Sequence, residues 1–167
     1  MERIAQFYKV SEGQFAADLG ETVFPHFVHE MYGAIELPRR ATAGSAGYDI
    51  RSPYAFSLEP GQTIRVATGL RCRIDEGWVL FVLPKSGLGF RFRVQLDNTV
   101  GVVDADYFGA ENEGHILIQI TNDSRLGRRL EIPAGKAFAQ AVFLPFGITE
   151  DDEAAGLRTG GFGSTGA

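Results

Sequence analysis

The sequence has a single cysteine, Cys72, which has no partner for a disulfide within the chain and is expected to lie in the core. Cysteine used this sparingly favours a reducing compartment. The sequence also lacks any run of about 18 apolar residues, the length that a membrane-spanning helix requires. Its first residues lack the charged start, apolar core and cleavage site of a secretory signal. We therefore expect a cytoplasmic protein with no membrane partner.

An excess of positive charge is lacking as well. Sixteen Lys and Arg against 21 Asp and Glu give a net charge of −5, which argues against a surface that follows a nucleic-acid backbone. We expect no nucleic-acid partner, so any anion site must be local. The 167 residues, with 44% hydrophobic and 22% charged residues, are typical of one globular domain.

Glycine and phenylalanine, in contrast, are abundant, with 21 and 13 residues. From residue 34 onward, short apolar runs are broken by Gly, Pro, Asn and Asp at roughly ten-residue intervals, a pattern typical of an all-β sandwich or barrel. The alternation of Leu70, Cys72 and Ile74 with arginines indicates a strand with one solvated face. The predicted strands are 34–37, 47–51, 54–58, 62–74, 77–84, 94–97, 100–104, 115–122, 128–132 and 136–146.

Residues 1–33 differ from the rest. Ser11 and Gln14 have the spacing of a capping box, and Phe15, Leu19, Phe24 and Phe27 could line the inner side of one or two short helices. We therefore expect a single domain, 1–167, with an N-terminal elaboration (1–33), a β barrel (34–146) and a mobile C-terminal arm (147–167).

Two histidines in the N-terminal elaboration could bind a metal. His26 and His29 are three residues apart, beside Glu30, and could share one helical face. Because no third and fourth ligand follow nearby, ordinary, partly exposed histidines are the favoured interpretation.

Residues 98–109 form an acidic stretch with the potential for chemistry. Val102 and Val103 lead into Asp104 and Asp106, and the turn ends at Gly109. A carboxylate beside buried apolar residues is costly unless it has a counter-charge, a metal or a ligand. The alternative is a hairpin whose acidic tip is solvated.

Three further segments carry polar groups at suggestive positions. Lys85, Ser86 and Gly87 follow an apolar strand and could hold a phosphate, although a plain turn would use the same residues. Asp49 could face a hydrated magnesium ion or be a strand-edge residue or cap. Gln140 is an amide within an apolar strand and needs a partner.

The glycine-rich C-terminus contains Gly-x-Gly-x-x-Gly at 161–166, but it is not a dinucleotide fingerprint, because no helix can follow it. It is not a Walker loop either, because no Lys precedes Ser164 and Thr165. Its backbone N–H groups, these two hydroxyls and Arg158 could still bind an anion, and Phe162 could stack on a ring. The alternative is a disordered tail.

The order of these segments along the chain resembles the five motifs of the homotrimeric dUTPases. The resemblance covers residues 34–167 and is carried by Ala-Gly-Tyr-Asp (46–49), Pro-Lys-Ser-Gly (84–87), Gly-Val-Val-Asp-Ala-Asp-Tyr (101–107), Gly-Lys-Ala-Phe-Ala-Gln (135–140) and Gly-Gly-Phe-Gly-Ser-Thr-Gly (160–166). It implies a jelly-roll-like, distorted β barrel in a homotrimer that exchanges its C-terminal arms and shares active sites. The implied reaction splits dUTP into dUMP and pyrophosphate with Mg²⁺.

The resemblance also implies roles for individual residues. Asp104 would be the general base for the water that attacks the α-phosphorus, and Tyr107 would pack under the deoxyribose and exclude a 2′-hydroxyl. Asp49 would contact Mg²⁺ through water. The uracil edge would be read by Asn98 and by the backbone of Gly101, Val102 and Val103. The phosphates would be held by Lys85, Ser86, Gly87 and Gln140. The arm of a neighbouring subunit would close the site with Arg158, Phe162, Gly163, Ser164 and Thr165.

Three features depart from the motifs. Lys85 stands where the family usually has Arg, which removes a bidentate fork but keeps the charge. Arg158 lies one residue closer to Phe162 than in the commonest form, and residues 110–114 lengthen the segment after the acidic turn. Two alternatives remain: a non-catalytic nucleotide- or partner-binding module of the same fold, and the related dCTP deaminase, for which a different tail and a glutamate base are expected.

Overall fold

The computed structural model describes residues 2–20, 24–156 and 160. Within these ranges the chain forms twelve strands, three α-helices and one 3₁₀ helix. The strands are β1 (Ala5–Lys9), β2 (Arg39–Arg40), β3 (Tyr48–Arg51), β4 (Phe56–Leu58), β5 (Thr63–Ala67), β6 (Leu70–Ile74), β7 (Trp78–Pro84), β8 (Val94–Leu96), β9 (Gly101–Val103), β10 (Leu117–Asn122), β11 (Leu130–Ile132) and β12 (Ala137–Pro145). The helices are α1 (Glu12–Leu19), α2 (Pro25–Gly33), α3 (Ser86–Phe92) and the 3₁₀ helix (Ala105–Gly109).

The strands pair in four groups, and every pairing is antiparallel. The largest sheet has the order β2-β3-β12-β7-β9, the next is β5-β10-β8, and the two remaining pairs are β1-β6 and β11-β4. The all-β prediction is confirmed. None of the helices in the described ranges is long and apolar enough to cross a membrane.

One core joins the sheets and the N-terminal helices. Ile50, Leu80, Ile120 and Phe138 are fully buried at its centre, and each such side chain contributes about 1.5–3 kcal/mol through burial. Cys72 is also buried, as predicted, and desolvation raises the pKa of its thiol to about 12. A thiol held protonated in this way is a packing group, not a nucleophile.

Several predicted strands have different bounds in the structure. Residues 34–37 form no strand, and the predicted strand 62–74 is two strands, β5 and β6, separated at Gly69. Gly69 has a φ of +70°, and a side chain there would collide with Ile35. Only glycine adopts this conformation readily, so the chain turns at this point and joins a different sheet.

The N-terminal region contains two helices, where one or two were predicted, and also an unpredicted strand. Ser11 caps α1, its Oγ accepting a hydrogen bond of 3.1 Å from the N–H of Gln14. Phe15 is fully buried, as predicted, whereas Phe24 and Phe27 are exposed, so the prediction was wrong for these two. Before α1, β1 pairs with β6 along its full length. The first residues are therefore part of the β structure.

The two histidines of α2 are exposed, as favoured above. His29 Nδ1 lies 3.0 Å from a carboxylate oxygen of Glu12. In residues 2–20 and 24–156, no three His, Cys, Asp or Glu side chains are grouped to hold a metal ion. At the other end of the chain, residues 147–156 are exposed at every position and form no helix or strand.

Candidate active site

The central sheet brings Asp49, Lys85 and Gln140 together. Asp49 on β3 lies opposite Gln140 on β12, and on the other side of β12 the strand β7 ends one residue before Lys85. Lys85 Nζ donates to Asp49 Oδ1 at 2.5 Å. Both side chains are partly exposed, Lys85 by 31% and Asp49 by 22%, so a ligand could reach them.

Gln140 has the partner that its position requires. Its Nε2 donates to the carbonyl oxygen of Pro84 at 3.2 Å, which ties the amide to the end of β7. A Cβ at residue 47 would lie only 2.8 Å from Gln140 Oε1, so Gly47 provides the space for this amide. The three residues and Gly47 form what we call, after the role predicted from the sequence, the phosphate end of the candidate site.

Ser86 and Gly87 lie in the first turn of α3, where a turn or a phosphate-binding loop was predicted. Lys85 precedes the helix, and its carbonyl oxygen accepts from the N–H groups of Leu88 and Gly89 at 2.9 and 3.0 Å. Ser86 and Gly87 are exposed beside Lys85. They extend the phosphate end along the protein surface.

The acidic stretch bends where β9 ends. Asp104 follows Val103 as the N-cap of the 3₁₀ helix, and its carbonyl oxygen accepts from the N–H of Tyr107 at 3.2 Å. Asp104 and Tyr107 are an odd number of positions apart, so in a straight strand their side chains would face opposite ways. Because the chain forms a 3₁₀ turn here and not a straight strand, this spacing does not prevent the two side chains from facing one pocket.

Tyr107 is only 6% exposed, and its hydroxyl faces the protein interior. The hydroxyl donates to the carbonyl oxygen of His115 and accepts from Nδ2 of Asn112, both at 2.8 Å. The phenol end of the ring is therefore held by the segment that lengthens the acidic turn.

His115 is a fully buried residue that the sequence did not single out. Its Nε2 accepts from the N–H of Gly69 at 2.8 Å, and its Nδ1 lies 2.5 Å from Asp18 Oδ2. A ring nitrogen that accepts from an amide carries no proton, so the imidazole is neutral with its proton on Nδ1. Burial lowers the pKa of His115, although the hydrogen bond and charge of Asp18 and the charge of Glu113 oppose it.

The residues expected to read a base lie at the start of β9. Asn98 is exposed in the turn that leads into this strand, and Val102 is 56% exposed. A Cβ at Gly101 would lie 3.0 Å from Cβ of Val82, so glycine permits β9 to approach β7 closely here. Arg158, Phe162, Gly163, Ser164 and Thr165 lie outside the described residues.

The phosphate end and Asp104 lie at different places on one chain. Val103 of β9 pairs with Leu80 of β7, and Lys85 follows Leu80 by five residues in the direction in which β7 runs. At about 3.3 Å per residue, Val103 and Lys85 are separated by about 16 Å along the sheet, and Asp104 lies beyond Val103. Within one chain these two groups of candidate residues, which we call the two half-sites, therefore lie apart along the sheet.

Comparison with known proteins identifies the family. The model of the dUTPase family matches residues 34–166, most of the chain. The chain belongs to the dUTPase family. Among its curated relatives, the deoxyuridine 5′-triphosphate nucleotidohydrolase of Lactococcus lactis is 39% identical over 136 residues, which cover 80% of this chain and 89% of the relative. The enzyme of the same name from Photorhabdus laumondii is 40% identical over 138 residues, covering 78% and 86% of the two chains.

Solved dUTPase structures share the fold. The dUTPase of Streptococcus mutans is 33% identical, with a TM-score of 0.62 over 70% of this chain and 90% of its own. A dUTPase of Staphylococcus bacteriophage 80alpha, in complex with dUPNHPP, is 22% identical and has a TM-score of 0.66 over 99% and 100% of the chains. The predicted jelly-roll-like β barrel is thus confirmed, and the chain is an enzyme of the dUTPase family.

Proposed function

We propose that this chain hydrolyses dUTP to dUMP and pyrophosphate. The observation that carries the proposal is the dUTPase match over residues 34–166, which contains the Asp49, Lys85 and Gln140 cluster. Relatives that are 39% and 40% identical are named deoxyuridine 5′-triphosphate nucleotidohydrolase. Phosphoryl transfer depends mainly on positioning and charge neutralisation, and a cation, an amide and hydroxyl groups supply these without a covalent nucleophile.

The phosphate end would hold the triphosphate. Lys85 supplies a charge, Gln140 an amide and Ser86 a hydroxyl, and Gly87 leaves the backbone accessible. The ion pair with Asp49 fixes the ammonium group of Lys85 where it is partly exposed to solvent. In the proposed complex Lys85 donates to phosphate oxygens instead.

Mg²⁺ suits the residues at the phosphate end. Asp49 offers a partly exposed carboxylate, the hard oxygen ligand that Mg²⁺ prefers, and a single protein carboxylate matches an ion that keeps most of its waters and also binds substrate phosphates. Asp49 would contact the ion through water. When bound, Mg²⁺ would neutralise charge on the triphosphate.

Asp104 is the proposed general base. Asp104 lies at the start of the 3₁₀ helix, between the exposed Val102 and Tyr107, whose hydroxyl is fixed by its bond to the carbonyl oxygen of His115. It would orient and deprotonate the water that attacks the α-phosphorus. Tyr107 would lie under the deoxyribose and leave no room for a 2′-hydroxyl.

The remaining contacts would select the base and close the site. Asn98 and the backbone of Gly101, Val102 and Val103 would read the uracil edge, since Asn98 and Val102 are exposed at this end of β9. The exchanged arm would contribute its own groups, by resemblance to the family's last motif. These groups are Arg158, Phe162, Gly163, Ser164 and Thr165.

We further propose a homotrimer with shared active sites. The separation of about 16 Å along the sheet between the two half-sites supports this, because a single chain does not bring Lys85 and Asp104 to one triphosphate. Closed rings of identical subunits join different patches of the surface. A neighbouring subunit would then complete each site. The single cysteine, which has no disulfide partner within the chain, supports a reducing, cytoplasmic location.

Measuring pyrophosphate release from dUTP, dCTP, dTTP and UTP with Mg²⁺ tests the activity. We expect release from dUTP to exceed release from the other three by at least two orders of magnitude in kcat/KM, because each wrong group leaves polar partners unpaired or collides with the pocket. No release from any nucleotide would favour a binding module. Release of ammonia from dCTP would favour the deaminase.

A further inference from the structure

The N-terminal segment and the segment after the acidic turn contact each other directly, although they are far apart in sequence. The backbone N–H of Ser11 donates to Glu113 Oε2 at 2.8 Å, and its Oγ donates to Glu113 Oε1 at 2.5 Å. Ser11 and Glu113 are 102 positions apart in the sequence. The same serine hydroxyl caps α1, so the start of the helix and the carboxylate of Glu113 are fixed together.

A second contact joins the same two regions at the other end of α1. Asp18 Oδ2 lies 2.5 Å from Nδ1 of the buried His115. Between charged and neutral partners such a bond is stronger than one between two neutral groups, and burial prevents water from replacing it. The two contacts hold residues 110–115, which we call the 110–115 loop, against both ends of α1.

The 110–115 loop in turn holds Tyr107. Asn112 donates to the Tyr107 hydroxyl, and that hydroxyl donates to the carbonyl oxygen of His115. Gly114 has a φ of +67°, and a side chain there would collide with the carbonyl oxygen of Tyr107. The loop therefore meets both the hydroxyl and the backbone of this tyrosine.

Arg71 connects the same groups from the barrel side. Its Nη2 donates to the carbonyl oxygen of Phe108 at 2.5 Å, its guanidinium carbon lies 3.7 Å from the centre of the Phe108 ring, and its Nη1 lies 3.7 Å from Glu113 Oε2. Arg71 is on β6 opposite Tyr8 of β1, and the Tyr8 ring also packs on Phe108. The 3₁₀ helix is thus held by β1, β6 and the loop together.

The backbone at Glu113 indicates that the loop is held under constraint. Glu113 has a φ of +58°, a conformation that costs a residue with a side chain free energy and persists only where its surroundings fix it. Its carboxylate accepts two bonds from Ser11, and these bonds lower the pKa of Glu113 more than any other cause. Ser11 is therefore one of the groups that keep the loop in this conformation.

We propose that the N-terminal segment and the 110–115 loop form one positioning unit for Tyr107, so that Ser11, Glu113 and Asn112 set the selectivity for a deoxyribose over a ribose. This inference rests on the proposed function, in which Tyr107 contacts the sugar. The three are positioning residues: they act on the nucleotide through Tyr107. A tyrosine free to shift by a few tenths of an ångström would admit a 2′-hydroxyl more readily.

Two variants break the unit at different points. Asn112→Ala removes the donor to the Tyr107 hydroxyl. Ser11→Asp keeps a good N-cap for α1 but faces the carboxylate of Glu113 with a second carboxylate. Ser11→Thr, which keeps the hydroxyl, and Glu111→Ala, an exposed position in the same loop, are the matched controls.

The measurement is kcat and KM for dUTP and for UTP, with circular dichroism melting of every variant. We expect the ratio of kcat/KM for dUTP to that for UTP to fall about two- to tenfold in Asn112→Ala and in Ser11→Asp, the effect of losing one hydrogen bond. In both controls the ratio should stay at the wild-type value.

An unchanged ratio in a folded Ser11→Asp or Asn112→Ala protein would overturn the inference, even if stability or overall activity fell. Because Ser11 is exposed, its variant tests the proposal if Asn112→Ala does not fold. Wild-type protein that releases no pyrophosphate from dUTP would be a different result, since it would reject the proposed function itself.

Discussion

The phosphate end and the acidic turn are built in different ways. Asp49 lies on β3, Gln140 on the neighbouring strand β12, and Lys85 directly after the end of β7, so the register of three neighbouring strands sets their spacing. Tyr107, in contrast, depends on the 110–115 loop, which is held by residues about a hundred positions earlier in the chain. The first arrangement needs only the sheet. The second requires the N-terminal segment to be docked as well.

The largest expected effect belongs to the acidic turn. Asp104→Asn should lower kcat for dUTP about 10²- to 10⁴-fold, because it removes a general base but keeps the size of the side chain. The affinity for dUTP, measured by titration calorimetry with a non-hydrolysable analogue, should stay within a few fold of wild type. Asp106→Asn, the same change at an exposed position two residues on, is the matched control and should keep most of its turnover. Near-normal turnover of Asp104→Asn would exclude this residue as the base.

A smaller effect is expected at the phosphate end. Lys85→Met should lower kcat/KM about 10- to 100-fold, mainly through KM, because it removes one charged hydrogen-bond donor to the triphosphate. Lys85→Arg keeps the charge and supplies the fork that the family's motif usually has, so it should retain activity. The melting temperature of Lys85→Met should change little, since a partly exposed ion pair contributes about 1 kcal/mol or less. A Lys85→Met protein with wild-type KM would remove Lys85 from the phosphate site.

The same contrast explains how much could be predicted from the sequence. Apolar runs and turn residues predicted most strands to within about two residues, and the Ser11 to Gln14 spacing predicted the start of α1. The prediction that Gln140 has a hydrogen-bond partner was also correct, because an amide in a buried strand must form hydrogen bonds within the protein.

What the sequence did not reveal depends on contacts between distant segments. The short strand β1 has no turn signal that separates it from α1, and it is stabilised by pairing with β6, more than 60 positions later. The bond between Asp18 and His115 has no local pattern at all. The strand predicted at 34–37 is absent from the structure, and α3 was not predicted. In both places tertiary packing overrides the weak local preferences of a short segment.

The central claim is that Lys85 and Asp104 of different chains meet at one dUTP. Co-expressing Asp104→Asn chains with Lys85→Met chains in equal amounts tests it directly, because each kind of chain keeps the half-site that the other lacks. In randomly mixed trimers about a quarter of the sites would combine an intact Asp104 with an intact Lys85 from its neighbour. Measured as kcat/KM at dUTP concentrations well below KM, the mixture should therefore recover about a quarter of the wild-type value, well above the mean of the two separate variants. A mixture no more active than that mean would contradict sharing, and would place both residues in a site built by one chain.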